Sequence, residues 1–255
     1  SFIVVIGVWL QQYLTTRRAL LWGNPRGFRL DVAIATIVFV SATVYGLAWI
    51  PDLHRQVDIK GATDVVARQF SMYDYHHNLR ATHPYSSLPW AWPIDLRPVA
   101  YYYHDFRKGA DASNDKACCV SEVLSLPNPL MMWFGLITVP FVGYLAWTRR
   151  NKGYALIVLT YLVQWLPWFL SPRLAFSYHF YVDLPLICIC NAIALQWIWN
   201  RYKDDPNRRW FAGAGIGLYT LAVALAFVFF YPVLAGTHIT WDAWHARMWL
   251  ERWVI

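Results

Sequence analysis

Long apolar runs dominate the chain, and they leave it few folds to choose from. A helix needs about 20 mostly apolar residues to cross a bilayer. Six stretches approach that: 2–21, 30–50, 130–147, 154–170, 174–199 and 210–234. The first weakens in its second half, at Gln11, Gln12 and Thr15. Lipid offers the backbone no hydrogen-bond partners, so such runs are expected as helices. Only 15% of residues are charged and 58% are hydrophobic, where a soluble domain carries roughly a quarter charged. The chain reads as an all-α integral membrane protein with about six transmembrane helices. Residues 1–51 hold two, and 130–236 hold four. A large extracytoplasmic loop fills 52–129, and a Trp-rich interfacial tail fills 237–255.

The net charge of +7 does not point to nucleic acid, because the basic residues gather at the ends of apolar runs. Arg17, Arg18, Arg26 and Arg29 lie in one connection, Arg149, Arg150 and Lys152 in a second, and Arg201, Lys203, Arg208 and Arg209 in a third. These connections alternate with the others, so all three fit the cytoplasmic side together. The loop at 52–129, the turn at 171–173 and the C-terminal tail then share the outer face of the cell (inner) membrane.

Within the outer loop, 62–79 has helical periodicity. Val66, Phe70, Tyr73 and His77 form one stripe beside Val65, Gln69, Met72 and His76, as expected for a helix lying on a surface. The stretch HPYSSLPWAWPIDLRPVAYYYH follows, stiffened by prolines and rich in Trp and Tyr. In the tail, Trp241, Trp244 and Met248 share a helical face, which predicts a helix at the membrane–water interface.

Ionisable residues inside spans are costly and are functional candidates by default. The fifth span opens with Arg173, then Tyr178, His179 and Asp183. His179 and Asp183 stand four apart, the spacing at which helical side chains meet. Arg173 suits a phosphate. Arg97, restricted by Pro98, is a second candidate anion contact, set against a plain pairing with Asp95 or Asp105. His76, His77, His83 and His104 match no common metal spacing, so no metal site is expected. Cys118 and Cys119 read as loop thiols, with a disulfide open to one of them on an oxidising face. The loop and tail acids form no Asp-Glu pair, and no catalytic residue is assigned within this chain.

In the order YDYHHNL, HPYSSLPWAWPIDLRPVAYYY, SEVLSLPNPLMMWFG, WLPWFLSPRLAFSYHFYVDLP and FFYPVLAG, the chain resembles the C-terminal membrane region of protein O-mannosyltransferases, of glycosyltransferase family 39. The lack of an inserted β-trefoil looks bacterial. The resemblance implies transfer of mannose from a polyprenyl- or dolichyl-phosphate carrier to Ser or Thr hydroxyls of exported proteins, with inversion, at the outer face, and with no cofactor or metal. It places the lipid-phosphate or sugar site at Arg173, Tyr178, His179 and Arg97, and an acceptor or loop site at His76, His77, His83 and Tyr85. The family's catalytic Asp-Glu pair sits in an N-terminal outer loop that this sequence lacks. The resemblance therefore implies a missing N-terminal half or another membrane subunit as partner, beside membrane lipid, the lipid-linked donor and the protein acceptor. The alternative expectation is a transferase-derived accessory subunit without catalysis. A transporter is disfavoured by sparse intramembrane charge and the lack of an inverted repeat.

Overall fold

The computed structural model describes residues 30–51, 62–79, 82–108 and 118–254. The expected span at 2–21 falls outside them. The chain divides into two compact units, 1–80 and 81–255.

In the first unit, α1 (Leu30–Ala48) is the helix expected over 30–50. α2 (Ala62–Asn78) matches the periodic stretch 62–79 to within a residue. The Tyr45 hydroxyl on α1 donates to Gln69 Oε1 on α2 at 2.5 Å. The apolar stripe of α2 stays open, with Val66, Phe70 and Tyr73 exposed.

Among its described residues, the second unit is an up-and-down bundle of four helices that, with the 3₁₀ segments extending two of them, are each long and apolar enough to cross a membrane. α3 (Pro129–Thr148) starts on Asn128, whose side chain accepts from the Met131 amide and whose Nδ2 donates to the Val223 carbonyl at 2.8 Å. α4 (Lys152–Trp165) runs into a 3₁₀ segment, Leu166–Leu170, with Pro167 in its first turn. α5 (Leu184–Tyr202) follows a 3₁₀ segment, Ser177–Asp183. α6 (Arg209–Leu234) closes the bundle. Short connections make sequential helices antiparallel neighbours.

Membrane helices pack through small residues and shared polar groups rather than through hydrophobic burial. α3 and α5 follow that rule. A Cβ on Gly135 would meet Ile187 Cγ2 at 2.6 Å, so glycine sets how closely the two backbones approach. One turn on, Thr138 Oγ1 donates to Asn191 Oδ1 at 2.5 Å, while Asn191 Nδ2 donates to the Met131 carbonyl and to the Tyr219 hydroxyl. One side chain thus ties α3, α5 and α6 together.

Three expectations are corrected. The fold is not all-α: β1 (Val99–Asp105) and β2 (Cys119–Ser125) pair antiparallel, and β3 (Ile239–Thr240) adds to β2. VAYYYHD is β-branched and aromatic, the composition that suits a pleated, half-buried surface. Cys118 and Cys119, read as thiols, are joined to each other as a disulfide. The tail is not an interfacial helix either. It is a single short helix, α7 (Trp241–His245), followed by a 3₁₀ turn, Glu251–Trp253. Trp244, Met248 and Trp253 are buried against Val120, Leu124, Phe230 and Val233. Protein, not lipid headgroups, covers these rings, and their burial supplies the core beneath the sheet.

Candidate functional site

The loop, the sheet, the start of α5 and the tail meet at one end of the bundle. The segment 82–98 has almost no ladder to satisfy its backbone, and the sequence meets that need with indoles. Trp165 Nε1 donates to the Pro89 carbonyl at 2.8 Å, Trp133 Nε1 to Ile94 at 3.0 Å and Trp253 Nε1 to Asp95 at 2.8 Å. Three tryptophans from α4, α3 and the tail therefore hold three loop carbonyls. Trp92 is the loop's own anchor, 1% exposed, with Nε1 donating to Ser87 Oγ. The Ser87 amide in turn donates to the Ala175 carbonyl at 3.0 Å, which fastens the loop to the approach of α5. Asp95 takes a left-handed backbone (φ 50°), which Asp tolerates better than most residues.

This scaffold assembles most of the expected site in the second unit. His83 meets Phe176 edge-on at 5.2 Å, and Phe176 stacks on Tyr178 at 5.3 Å. Tyr178 lies 4.6 Å from His179, which packs on Trp168 at 4.2 Å. Tyr85 stands 5.5 Å from His83, and the Arg97 guanidinium lies 5.5 Å above the Tyr85 ring. The result is one continuous aromatic wall with cations at its margin. His179 Nδ1 lies 3.0 Å from the Phe176 carbonyl and 3.2 Å from its amide, so backbone fixes the ring in either tautomer. Arg173 is half-buried and its Nε has no hydrogen-bond partner among the described residues. A guanidinium with an idle buried donor beside an aromatic wall is suited to an anionic group carried on a ring or chain.

Arg97 is committed to structure. Its Nε donates to Pro84, and Nη1 to the carbonyls of Arg252 at 2.5 Å and Val254 at 3.5 Å. The pairing with Asp95 or Asp105 set against its anion role does not form, because Asp105 is taken by Arg107 and Lys108. The Arg107 hydrogen bond holds the Asp105 carboxyl well below the usual range. His76 and His77 lie on α2 in the first unit, where His77 stacks on Tyr73.

The His179–Asp183 pairing suggested by four-residue spacing does not form. Ser177–Asp183 is 3₁₀, with three residues per turn, so positions three apart align and positions four apart do not. Asp183 is fully buried and neither carboxyl oxygen has a hydrogen-bond partner among the described residues.

Two buried acids escaped the sequence. Asp95 is 0% exposed with neither carboxyl oxygen partnered among the described residues, and burial raises its carboxyl well above the ordinary range. Glu122 on β2 accepts from Trp244 Nε1 at 2.5 Å, while Oε1 has no partner among the described residues. Burial pushes Glu122 up to about 7, against the opposing Trp244 hydrogen bond. Its charge also reaches the Tyr85 and Tyr103 phenols, which burial raises first. No local pattern marks either acid; only the tertiary fold encloses them. Tyr181 was missed too: its hydroxyl donates to the Ser125 carbonyl and accepts from Ser125 Oγ, joining the 3₁₀ segment to β2. The Asp95 and Glu122 carboxyls are both closed off from solvent, so neither stands open to an acceptor hydroxyl. Among the described residues no group of three or more His, Cys, Asp or Glu side chains is placed to hold a metal.

Residues 62–253 match a family model described as the C-terminal four-transmembrane region of protein O-mannosyltransferase. The polyprenol-phosphate-mannose–protein mannosyltransferase of Mycolicibacterium smegmatis is 31% identical over 193 residues, covering 71% of this chain and 36% of that protein. Its counterpart in Mycobacterium tuberculosis is 28% identical over 176 residues, covering 67% and 32%. The chain therefore spans about a third of the length of these relatives. The structure of the Saccharomyces cerevisiae protein O-mannosyltransferase Pmt1–Pmt2 complex bound to the sugar donor superposes with a TM-score of 0.56 at 19% identity, over 75% of this chain and 26% of that one. At that identity it shows a shared fold. The matched span, which takes in α2, the aromatic loop, the sheet and all four bundle helices, shows that this chain belongs to the protein O-mannosyltransferase family, as its C-terminal membrane region.

Proposed function

We propose that the chain forms the loop-covered mouth of a membrane mannosyltransferase that moves mannose from a polyprenyl- or dolichyl-phosphate carrier to Ser or Thr hydroxyls of exported proteins. The observation that carries this reading is the idle Arg173 donor beside the aromatic wall of Tyr178, His179, Phe176 and His83. A guanidinium binds phosphate oxygens, and ring faces suit a sugar or an isoprenoid. Arg97, Tyr85 and His83 hold and line the loop over that mouth. His76 and His77 are offered as acceptor-side contacts. The mycobacterial relative is named for a polyprenol-phosphate-mannose donor and a protein acceptor, which favours the transferase over an accessory role. The catalytic base comes from outside these residues, from an N-terminal region or a second membrane subunit; the yeast structure of two such proteins in complex supports the latter as one arrangement. The reaction is read as inverting and independent of metal or cofactor. The loop and tail face outward, because the bundle end opposite them carries Arg149, Arg150, Lys152, Arg201 and Lys203.

The test is mannose transfer from polyprenyl-phosphate mannose to a Ser/Thr peptide, in membranes carrying the whole protein. Losing a charged hydrogen bond of about 1.5–3 kcal/mol lowers kcat/KM roughly 10- to 100-fold. Arg173→Ala is expected in that range, and His179→Ala is expected to lower transfer too. Parental rates in both variants would refute the site.

A further inference from the structure

The end of the bundle away from the loop carries a second polar pocket, a cavity of about 210 Å³ between α3, α4 and α5. Arg149, the C-cap residue of α3, and Arg201, in the last turn of α5, both line it. Gln196 and Asn200 add hydrogen-bonding groups, and Tyr154 and Trp197 add rings. Neither arginine has a carboxylate partner among the described residues: of the two acids that follow Arg201, Asp205 is taken by Arg208, and Asp204 forms no ion pair with either arginine. Both arginines are also open to solvent, and an anion seated between two such cations would offset their mutual repulsion.

The local backbone keeps the cations there. The Asn151 amide donates to the Ala146 carbonyl at 3.1 Å and the Arg150 amide to Trp147 at 3.4 Å, a helix-ending motif that puts Arg150 in the left-handed region (φ 49°). Glycine is the usual occupant of such a site. The turn is only three residues long, so it folds the N-terminus of α4 back beside Arg149, and the positive end of that helix faces the same side. Tyr154 and Trp197 are the side chains that favour the membrane–water boundary. Basic pockets between membrane helices take phosphate headgroups. We infer that this pocket binds the phosphate of an anionic membrane lipid. It lies a full span, about 30 Å, from the aromatic wall, so its ligand is not the donor phosphate of the proposed reaction, and it stands whether or not that reaction does.

The experiment uses the whole protein in uncharged detergent, with bound lipid counted by native mass spectrometry. Phosphatidylglycerol is titrated alongside phosphatidylcholine and inorganic phosphate. Each arginine is worth about a fivefold change at a lipid surface, so Arg149→Gln and Arg201→Gln singly are expected to weaken phosphatidylglycerol binding about fivefold, and the pair roughly thirtyfold. Phosphatidylcholine is expected to bind far more weakly. Equal retention of phosphatidylcholine, or parental affinity in the single variants, would overturn the inference. Displacement of phosphatidylglycerol by an equal concentration of inorganic phosphate would reassign the pocket to a free anion and overturn the lipid assignment. The single variants keep the result decisive should the double variant fail to fold.

Discussion

Glu122 gives the sharpest quantitative expectation. It is 1% exposed, and its one hydrogen-bond partner among the described residues is Trp244 Nε1. Burial raises its carboxyl from 4.5 to about 7. The folded chain therefore holds this proton to a higher pH than the unfolded chain does. Stability from this group is full below 4.5, is lost as pH rises from 4.5 to about 7, and stays low above that. At about 1.4 kcal/mol for each tenfold change, the loss is about 3 kcal/mol. In Glu122→Gln the amide oxygen still accepts from the indole, and nothing ionises. Protonated Glu and Gln each put a donor where Oε1 now has no partner, so parent and variant are alike at pH 4.5. By pH 8 the variant is the more stable by about 3 kcal/mol, roughly 6–12 °C in midpoint for a chain of this size. Thermal unfolding of the purified protein in neutral detergent, at steps from pH 4.5 to 8.5, reads the difference directly. Parallel pH profiles for the two proteins, or a variant less stable at pH 8, would refute the argument that burial controls this carboxyl.

Other substitutions test the packing. Gly135→Ala puts a methyl 2.6 Å from Ile187 Cγ2, and is expected to cost about 1–3 kcal/mol in denaturant unfolding, relieved by Ile187→Ala in the same chain. Asn128→Ala removes both the α3 cap and the bond to Val223; a loss of about 1–2 kcal/mol is expected, with Asn128→Asp keeping the cap part and failing to restore the rest. Arg97→Lys keeps the charge but cannot span Pro84, Arg252 and Val254 together, so faster proteolysis of the tail is expected; unchanged cleavage would remove Arg97 from its holding role.

The bundle was legible because each span writes its length into a run of about 20 apolar residues, and α2 because its stripe repeats at helical spacing. The sheet was not. β3 is two residues long and carries no pattern of its own, while the aromatic run of β1 reads equally as membrane-boundary composition. The tail tryptophans misled for a related reason: an indole suits a lipid interface and a protein core alike, and only the tertiary fold decides. At the start of α5 a helical wheel placed His179 beside Asp183, but the chain winds more tightly there. Tyr178, His179, His83 and Tyr85 stand out in the sequence, whereas Phe176 and Trp168, which join them into one wall, do not. The enclosure of Asp95 and Glu122 does not either, since it depends on elements far apart in the chain.

The clasp made by Arg97 grips main-chain oxygens, at Arg252 and Val254. It therefore reads the path of the tail and is blind to which side chains the tail carries. Point substitutions at 252 and 254 leave both oxygens in place, whereas inserting or deleting one residue between Trp244 and Arg252 slides them out of reach. Such a contact is written in spacing, so this stretch can drift in composition over generations while its length stays under constraint.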